Sequence, residues 1–177
     1  SPLNAELQRL FKWINMNRTW VRGKGVWLYD SNGREFLDGY AQYGAVALGH
    51  HADSVVEAMY AALAEEIPAM VQPYLAPNAI TLAEELVRLA PPGLTRCVFT
   101  TSGAETVEAA IKLVRMRTGR PMILSCEGAY HGKTMGALAV SGRELYAHLC
   151  GPKPPSFAQV PFGNIEALAE FLERHAG

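Results

Sequence analysis

The chain has 177 residues, with 16 lysines and arginines against 17 aspartates and glutamates, so its formal net charge is −1. That length suits one ordinary domain or one domain with a small addition, and a hydrophobic share of 49% is enough for a buried core. The near-neutral charge argues against a nucleic-acid-binding protein, and no run reaches the ~18 apolar residues of a membrane span.

The first section of the chain predicts a helix, a hairpin and a second helix. Apolar residues at helical spacing over 7–14 indicate a short N-terminal helix. Aromatic and apolar runs flank the turn at 30–33, and its Asn-Gly pair in that setting predicts a β-hairpin. Asp53 and Ser54 are typical helix caps, so we expect a helix to begin there and to end before Pro68.

The second section alternates helices with short apolar runs and begins after a proline-rich stretch. We place the boundary in that stretch, which divides the chain into 1–70 and 71–177. Such alternation predicts βαβ units and an α/β fold with a parallel sheet. Two strands are few for such a sheet, so we expect the chain to be part of a longer protein. The predicted helices are 79–89, 102–115 and 165–174, and the predicted strands are 97–99 and 122–126.

A turn of small residues lies between the first of these strands and its helix. Ser102 and Glu105 have the spacing of a capping box, with serine before the helix and glutamate in its first turn. The free N–H groups and the helix dipole at such an end form an anion site. Small residues at Gly103 and Ala104 let the backbone come close to a phosphate. A well-capped helix without a ligand remains the alternative.

A second candidate stretch follows the strand predicted at 122–126. It is similar to a phosphate-binding P-loop, but only three residues separate Gly128 from Gly132, and Glu127 stands where the extra glycine would be. We therefore reject a P-loop. Tyr130 and His131 then remain at the carboxyl end of a strand, where α/β sheets bind ligands. Tyr130 either stacks on a flat heteroaromatic ring or packs beside a glycine turn.

The sequence contains no pattern typical of a metal centre. His50 and His51 are adjacent and do not share a face, so we assign no metal ligand and expect a structural or capping role. No GxSxG motif indicates a serine hydrolase. The three cysteines lack CxxC spacing, which indicates reduced thiols and a cytoplasmic protein; they are Cys97, Cys126 and Cys150.

Four stretches occur in the order found in class III aminotransferases, the pyridoxal-phosphate enzymes of fold type I, and the chain resembles that family. They are 29–38, Gly49-His50, 101–112 and 130–134. The resemblance implies the N-terminal portion of such an enzyme, with a small α+β section followed by the start of a large, mainly parallel sheet with flanking helices. The run 160–167 is similar to putrescine- and ornithine-type members.

The resemblance also implies roles for the two candidate stretches. Ser102, Gly103 and Ala104 would hold the phosphate of pyridoxal 5'-phosphate. Tyr130 would stack on the pyridine ring, with His131 beside it. Ala104 stands where the family more often has threonine or serine, so a hydroxyl contact is lost while the backbone N–H remains.

Substrates and partners follow from the same resemblance. Tyr43 matches a position where related enzymes place a substrate-contacting aromatic residue, at a site built across a homodimer. The expected reaction passes an amino group from an amine or amino acid to a 2-oxo acid.

The catalytic lysine of the family has no match in the chain. In the family's longer members the Schiff-base lysine lies in the second half, and no lysine here has its motif: Lys12, Lys24, Lys112, Lys133 and Lys153. We therefore assign no catalytic residue and expect this chain alone to be inactive. Two alternatives remain: a non-catalytic binding or regulatory module that keeps the fold, and a nucleotide-binding domain that uses Gly132-Lys133-Thr134.

Overall fold

The structure is a computed structural model that describes residues 4–68, 70–71, 74–142 and 155–175. The chain forms two compact units, Ser1–Ile80 and Thr81–Gly177. The section boundary expected after residue 70 stays a prediction. The helices are α1 (Ala5–Trp13), α2 (Asp53–Ala64), α3 (Pro77–Leu89), α4 (Gly103–Thr118), α5 (Met135–Val140) and α6 (Ile165–Arg174); the strands are β1 (Trp20–Lys24), β2 (Trp27–Asp30), β3 (Glu35–Leu37), β4 (Ile123–Cys126) and β5 (Phe157–Val160).

The first unit contains an antiparallel sheet in the order β1-β2-β3. The hairpin predicted around Asn32-Gly33 is confirmed, because Trp27 pairs with Leu37 and Tyr29 with Glu35. Strand β1 was not predicted from the sequence; its polar and glycine residues conceal the alternation that marks a strand.

A buried carboxylate organises the hairpin turn. Asp30 is 2% exposed, and its Oδ1 accepts hydrogen bonds from Asn32 N and Arg34 N at 2.9 and 3.0 Å. Its Oδ2 accepts from Arg34 Nε at 2.8 Å. Burial raises the pKa of Asp30, but the bonds from Arg34 and Asn32 outweigh it and hold that pKa below its usual value. Asp30 is therefore ionised and fully bonded within the turn.

The start of α2 differs from the prediction. Ala52 occupies the N-cap position and its side chain makes no capping bond, so neither Asp53 nor Ser54 caps the helix. Asp53 lies in the first turn instead, where its carboxylate forms an ion pair with Lys24. The helix dipole favours a negative charge there even without a cap.

The second unit contains the parallel pair β4–β5, in which Ile123 lies opposite Phe157 and Cys126 opposite Val160. Helix α5 packs against both strands and against α4. Its residues 137–140 are all buried, and they form most of the core of this unit with Ile111 and Val160. The expected α/β fold is confirmed, with its parallel strands in this second unit.

One predicted strand is wrong. Residues 97–99 are not a strand, and Val98 and Phe99 are 65% and 48% exposed. A strand needs a hydrogen-bonded partner, and no strand in the described ranges pairs with this run. Strand β5 forms instead, in a stretch where the sequence analysis predicted no element.

Across the part of the chain that the structure describes, no helix combines the length and the apolar character needed to cross a membrane.

Candidate cofactor-binding site

The start of α4 forms the first part of the site. Ser102 is the N-cap with φ −153° and ψ 157°, and its Oγ accepts a hydrogen bond from Glu105 N at 3.3 Å. The predicted serine cap is confirmed. The Glu105 carboxylate accepts from Thr101 N at 2.8 Å and from the Thr101 hydroxyl, so the capping box closes one residue earlier than expected. These bonds from Thr101 hold the pKa of Glu105 below its usual value.

The turn at Ser102 has free donors and open space. The N–H groups of Gly103 and Ala104 have no acceptor among the residues that the structure describes. A Cβ added at Gly103 would have no atom within 4 Å. Unpaired N–H groups at a helix N-terminus with room in front of them suit an anionic oxygen ligand. The donor set therefore fits a phosphate group.

The segment after β4, which consists of a loop and helix α5, forms the second part of the site. Hydrogen bonds join its two ends. Gly128 N donates to Gly142 O and Gly142 N donates to Ala129 O, both at 2.9 Å. A Cβ at Gly142 would lie 2.2 Å from the carbonyl oxygen of Cys126, which leaves space for glycine alone. The segment between these hydrogen bonds, which includes Tyr130 and His131, is thus held at a fixed position beside β4.

Ser141 fixes the backbone within this loop. It is 3% exposed, and its Oγ accepts from His131 N at 3.1 Å and donates to Ala137 O at 2.9 Å. Tyr130 precedes the fixed residue and is 54% exposed, so about half of the residue is accessible to a ligand. Ser141 thus holds the His131 backbone, while Tyr130 beside it is partly exposed to solvent.

The two parts of the site meet at a glycine. Gly132 has φ +127°, and a Cβ added to it would lie 2.6 Å from Ala104 Cβ and 3.0 Å from Ala104 Cα. The loop therefore rests directly on the first turn of α4. Because the Ala104 side chain packs on Gly132, the group that Ala104 offers to a ligand is its N–H. The structure thus places the loop that carries Tyr130 and His131 against the first turn of α4 through Gly132 and Ala104, and the ligand roles of residues 102–104 and 130–131 stay predictions.

A carboxylate joins the same two elements one turn further along α4. Glu108 Oε1 accepts from Gly136 N at 2.7 Å and from Ala137 N at 3.2 Å. Thr134, the N-cap of α5, provides no side-chain cap, so Glu108 takes over that function from the neighbouring helix. A hydrogen bond from the Thr134 side chain is the main cause that lowers the pKa of Glu108; burial opposes it, and the two backbone N–H groups reinforce it.

Sequence reasoning did not assign roles to Glu108, Ser141 or Gly142. One signal was available for Glu108, since it lies four residues after Ala104 and therefore on the same face of the predicted helix. Ser141 and Gly142 carry no comparable local signal.

Tyr43 lies in the first unit and is 89% exposed. Its ring lies edge-on to that of Tyr40, with centroids 4.4 Å apart. Its role toward a substrate stays a prediction. In the ranges that the structure covers, no three histidine, cysteine, aspartate or glutamate side chains cluster as metal ligands would.

A cavity of about 620 Å³ lies beside the site in the second unit. It is lined by the residues of β4 after Ile123, by the loop that follows, by Val140 and by Phe162, and His131 is the only predicted site residue in its wall. The N-terminus of α4 is not part of this cavity. The turn at Ser102 is open at Gly103, where an added Cβ would meet no atom within 4 Å.

The family model of the class-III aminotransferases matches residues 12–175. The chain belongs to this family. An aminotransferase named PigE from Serratia sp. is 38% identical over 175 residues, which are 98% of this chain and 20% of that protein. An acetylornithine aminotransferase from Archaeoglobus fulgidus is 38% identical over 154 residues, 86% of this chain and 40% of that protein. The chain therefore spans less than half the length of these relatives.

Solved structures of transaminases have the same fold. An (S)-enantioselective omega-transaminase from Thermomicrobium roseum superposes with a TM-score of 0.84 at 33% identity, covering 99% of this chain and 44% of that one. A taurine:2-oxoglutarate aminotransferase from Bifidobacterium kashiwanohense, solved with pyridoxal phosphate and glutamate, gives 0.77 at 29% identity over 90% of this chain and 39% of that one. The expected family and its fold are thereby confirmed.

Replacement of Gly132 tests the contact between the loop and α4. We expect Gly132→Ala to lower the free energy of unfolding by about 1–3 kcal/mol more than Gly128→Ala, because only the first introduces a methyl group into occupied space. Gly128 is the matched control, since it also has a positive φ (+75°) but has no atom within 4 Å of an added Cβ. Urea unfolding measures both, and equal losses would contradict the close contact.

Replacement of Glu108 tests the cap that it provides to α5. Glu108→Ala leaves two N–H groups without their acceptor and is expected to cost about 1–3 kcal/mol in urea unfolding, with Glu108→Gln intermediate. Because the folded-state pKa lies below the usual 4.5, the carboxylate stabilises the fold fully above that value. Its contribution is lost as the pH falls through the lowered pKa. The difference between wild type and Glu108→Gln should therefore shrink in acid, and a constant difference would contradict this role.

Proposed function

We propose that the whole protein is a pyridoxal-phosphate-dependent transaminase that moves an amino group from an amine or amino acid to a 2-oxo acid. Membership of the class-III aminotransferase family supports the reaction class. The observation that carries the proposal for this chain is the turn at Ser102, where the unpaired N–H groups of Gly103 and Ala104 face open space beside the loop of Tyr130.

Each residue of the site has a distinct binding role in this proposal. The N–H groups of Gly103 and Ala104 donate to the phosphate, and the positive end of the α4 dipole favours its charge. The exposed ring of Tyr130 stacks on the flat cofactor ring. Ser141 holds the His131 backbone, and Glu108 holds the start of α5, so both parts keep their spacing when a ligand binds. When bound, pyridoxal phosphate supplies the electron sink for amino-group exchange.

The donor is proposed to be an amine, diamine or omega-amino acid rather than a simple α-amino acid. Two relatives support this class, since one is an acetylornithine aminotransferase and another an omega-transaminase. We further propose that this chain lacks the lysine that binds the cofactor covalently and that a homodimer completes the site. In this arrangement residues 102–104 bind the phosphate, and the proton transfers belong to groups outside this chain.

Activity of the whole protein tests the reaction. We expect it to transfer the amino group of putrescine or ornithine to 2-oxoglutarate or pyruvate, measured as formation of glutamate or alanine. We expect the 177-residue chain, assayed alone, to form neither product. A whole protein that binds pyridoxal phosphate but converts no donor would favour the non-catalytic module, and activity of the short chain would contradict the missing lysine.

A charge placed at the turn tests the phosphate contact. Gly103→Asp should weaken pyridoxal phosphate binding by at least about tenfold, because a carboxylate then stands beside the phosphate, whereas the uncharged Gly103→Asn of equal size should lose much less. Both side chains fit the open space, and an aspartate in the first helical turn does not destabilise α4. Equilibrium dialysis with pyridoxal phosphate and with pyridoxal measures the effect.

Pyridoxal is the matched ligand control, since it has the same ring without the phosphate. We expect its affinity to be nearly equal for Gly103→Asp and Gly103→Asn. If both ligands lost affinity to the same extent, or if pyridoxal phosphate bound Gly103→Asp normally, residues 102–104 would not be the phosphate site.

A further inference from the structure

The segment that carries Tyr43 has an unusual backbone. Ala41, Gln42 and Tyr43 have φ of 45°, 51° and 60°, and Gly44 continues at 83°. Four consecutive residues thus form a left-handed turn, closed by bonds such as Gly44 N to Ala41 O at 3.0 Å. Each of the first three residues has a Cβ that opposes this conformation, and left-handed residues normally occur singly. Some other part of the molecule must therefore hold the turn in place.

Asp38 is the group that holds the start of the turn. Its Oδ1 accepts from Ala41 N at 2.9 Å and from Tyr40 N at 3.2 Å. Its Oδ2 lies 2.7 Å from Nε2 of His50, and the carboxylate is 5% exposed. The hydrogen bond from His50 is the main reason why the pKa of Asp38 lies below its usual value. Because an ionised carboxylate only accepts, Nε2 of His50 carries the hydrogen.

His50 is itself fixed to strand β1 and to Gly25, which directly follows it. Its backbone forms a bridge with Gly25, with N–O distances of 2.7 and 2.8 Å. Its side chain lies on Gly23, where an added Cβ would be 2.9 Å from Cβ and Cγ of the histidine. Gly49 has φ +80°, and a Cβ there would lie 2.9 Å from the Gly25 carbonyl oxygen. The structure therefore explains the Gly49-His50 pair. Gly49 permits the backbone to approach Gly25 closely, and the side chain of His50 reaches Asp38.

The far end of the turn presents Tyr43. Its ring lies edge-on to that of Tyr40 with centroids 4.4 Å apart, and burial and a hydrogen bond with Tyr43 raise the pKa of Tyr40 to about 12. Residues 38, 40, 42 and 43 form one wall of a cavity of about 910 Å³, whose other walls come from α1, from residues 16–20 and from Leu28 of β2. The position of the Tyr43 ring relative to this cavity thus depends on the turn that Asp38 holds.

We infer that Asp38 and His50 are positioning residues that hold the left-handed turn 41–44 and so determine where Tyr43 is presented to the amino donor. The part about the donor rests on the proposed function, whereas the part about the turn does not. Neither residue touches the reacting atoms in this proposal. His50 orients Asp38, Asp38 orients the backbone of Tyr40 and Ala41, and the turn then orients Tyr43.

The turn is tested by hydrogen exchange of the backbone amides of Tyr40 and Ala41 in the whole protein. Asp38→Asn and His50→Ala should both increase exchange at these amides by about tenfold or more. The first removes the charge of the group that accepts their hydrogen bonds, and the second removes the histidine that orients that group. His50→Gln, which keeps an N–H donor, should restore most of the protection. Asp53→Asn is the matched control, because it removes an exposed carboxylate of the same unit that is bonded to Lys24. Unchanged protection in Asp38→Asn would overturn the inference.

Steady-state kinetics test whether Asp38 affects the binding of the amino donor by positioning Tyr43. Asp38→Asn should raise KM for the amino donor by about tenfold with kcat and pyridoxal phosphate affinity nearly unchanged. In a Tyr43→Ala background the same substitution should have little further effect on KM, whereas independent structural damage would add to it. Additive effects of the two substitutions on KM would contradict the inference that Asp38 acts through Tyr43. Should the unsubstituted whole protein convert no donor, the proposed function fails, and the exchange experiment alone decides the turn.

Discussion

The close contact between Gly132 and Ala104 is the constraint on which the site in the second unit depends. A loop can rest on the first turn of a helix only where both surfaces are small, and these two residues leave no space for one more carbon atom. The contact has two supports. Glu108 caps α5 from α4, and Gly142 closes the loop at its base. Tyr130 is therefore held beside the α4 N-terminus by packing and backbone bonds rather than by its own side chain.

Three carboxylates, two in the first unit and one in the second, have the same structural function. Asp30, Asp38 and Glu108 each accept backbone N–H bonds together with a side-chain donor, and each has a lowered pKa for that reason. Carboxylates used in this way replace the hydrogen bonds that turns and short helices cannot supply to themselves. They stabilise irregular backbone, and irregular backbone carries two of the residues to which the family resemblance assigns ligand contacts: Tyr43 in the left-handed turn 41–44 and Tyr130 in the loop after β4.

The second unit presents the elements of its site without enclosing them. Gly103 faces open space and Tyr130 is half exposed. The chain spans 20–40% of the length of the two relatives described above, and the contacts that the family resemblance assigns to it are binding contacts. This is consistent with a class of enzyme in which the cofactor performs the chemistry and the protein positions it.

Local patterns predicted the elements that depend on local forces. The Asn-Gly hairpin and the Ser102 cap were both visible in the sequence, because turn and cap preferences act within a few residues. The strand predicted at 97–99 failed because a strand requires a partner, which no local pattern supplies. The Asp53 cap failed because the helix begins one residue earlier than the side chain suggested.

The sequence by itself determined the family and the turn at Ser102, since both are encoded in short runs of residues. Only the tertiary structure decided that Glu108 caps a helix other than its own, that Gly132 packs on Ala104, and that His50 supports the turn of Tyr43 through Asp38. These contacts join residues 12 to 29 positions apart, where spacing along the chain contains no information on distance. They arise from close packing, which depends on the whole arrangement of the backbone.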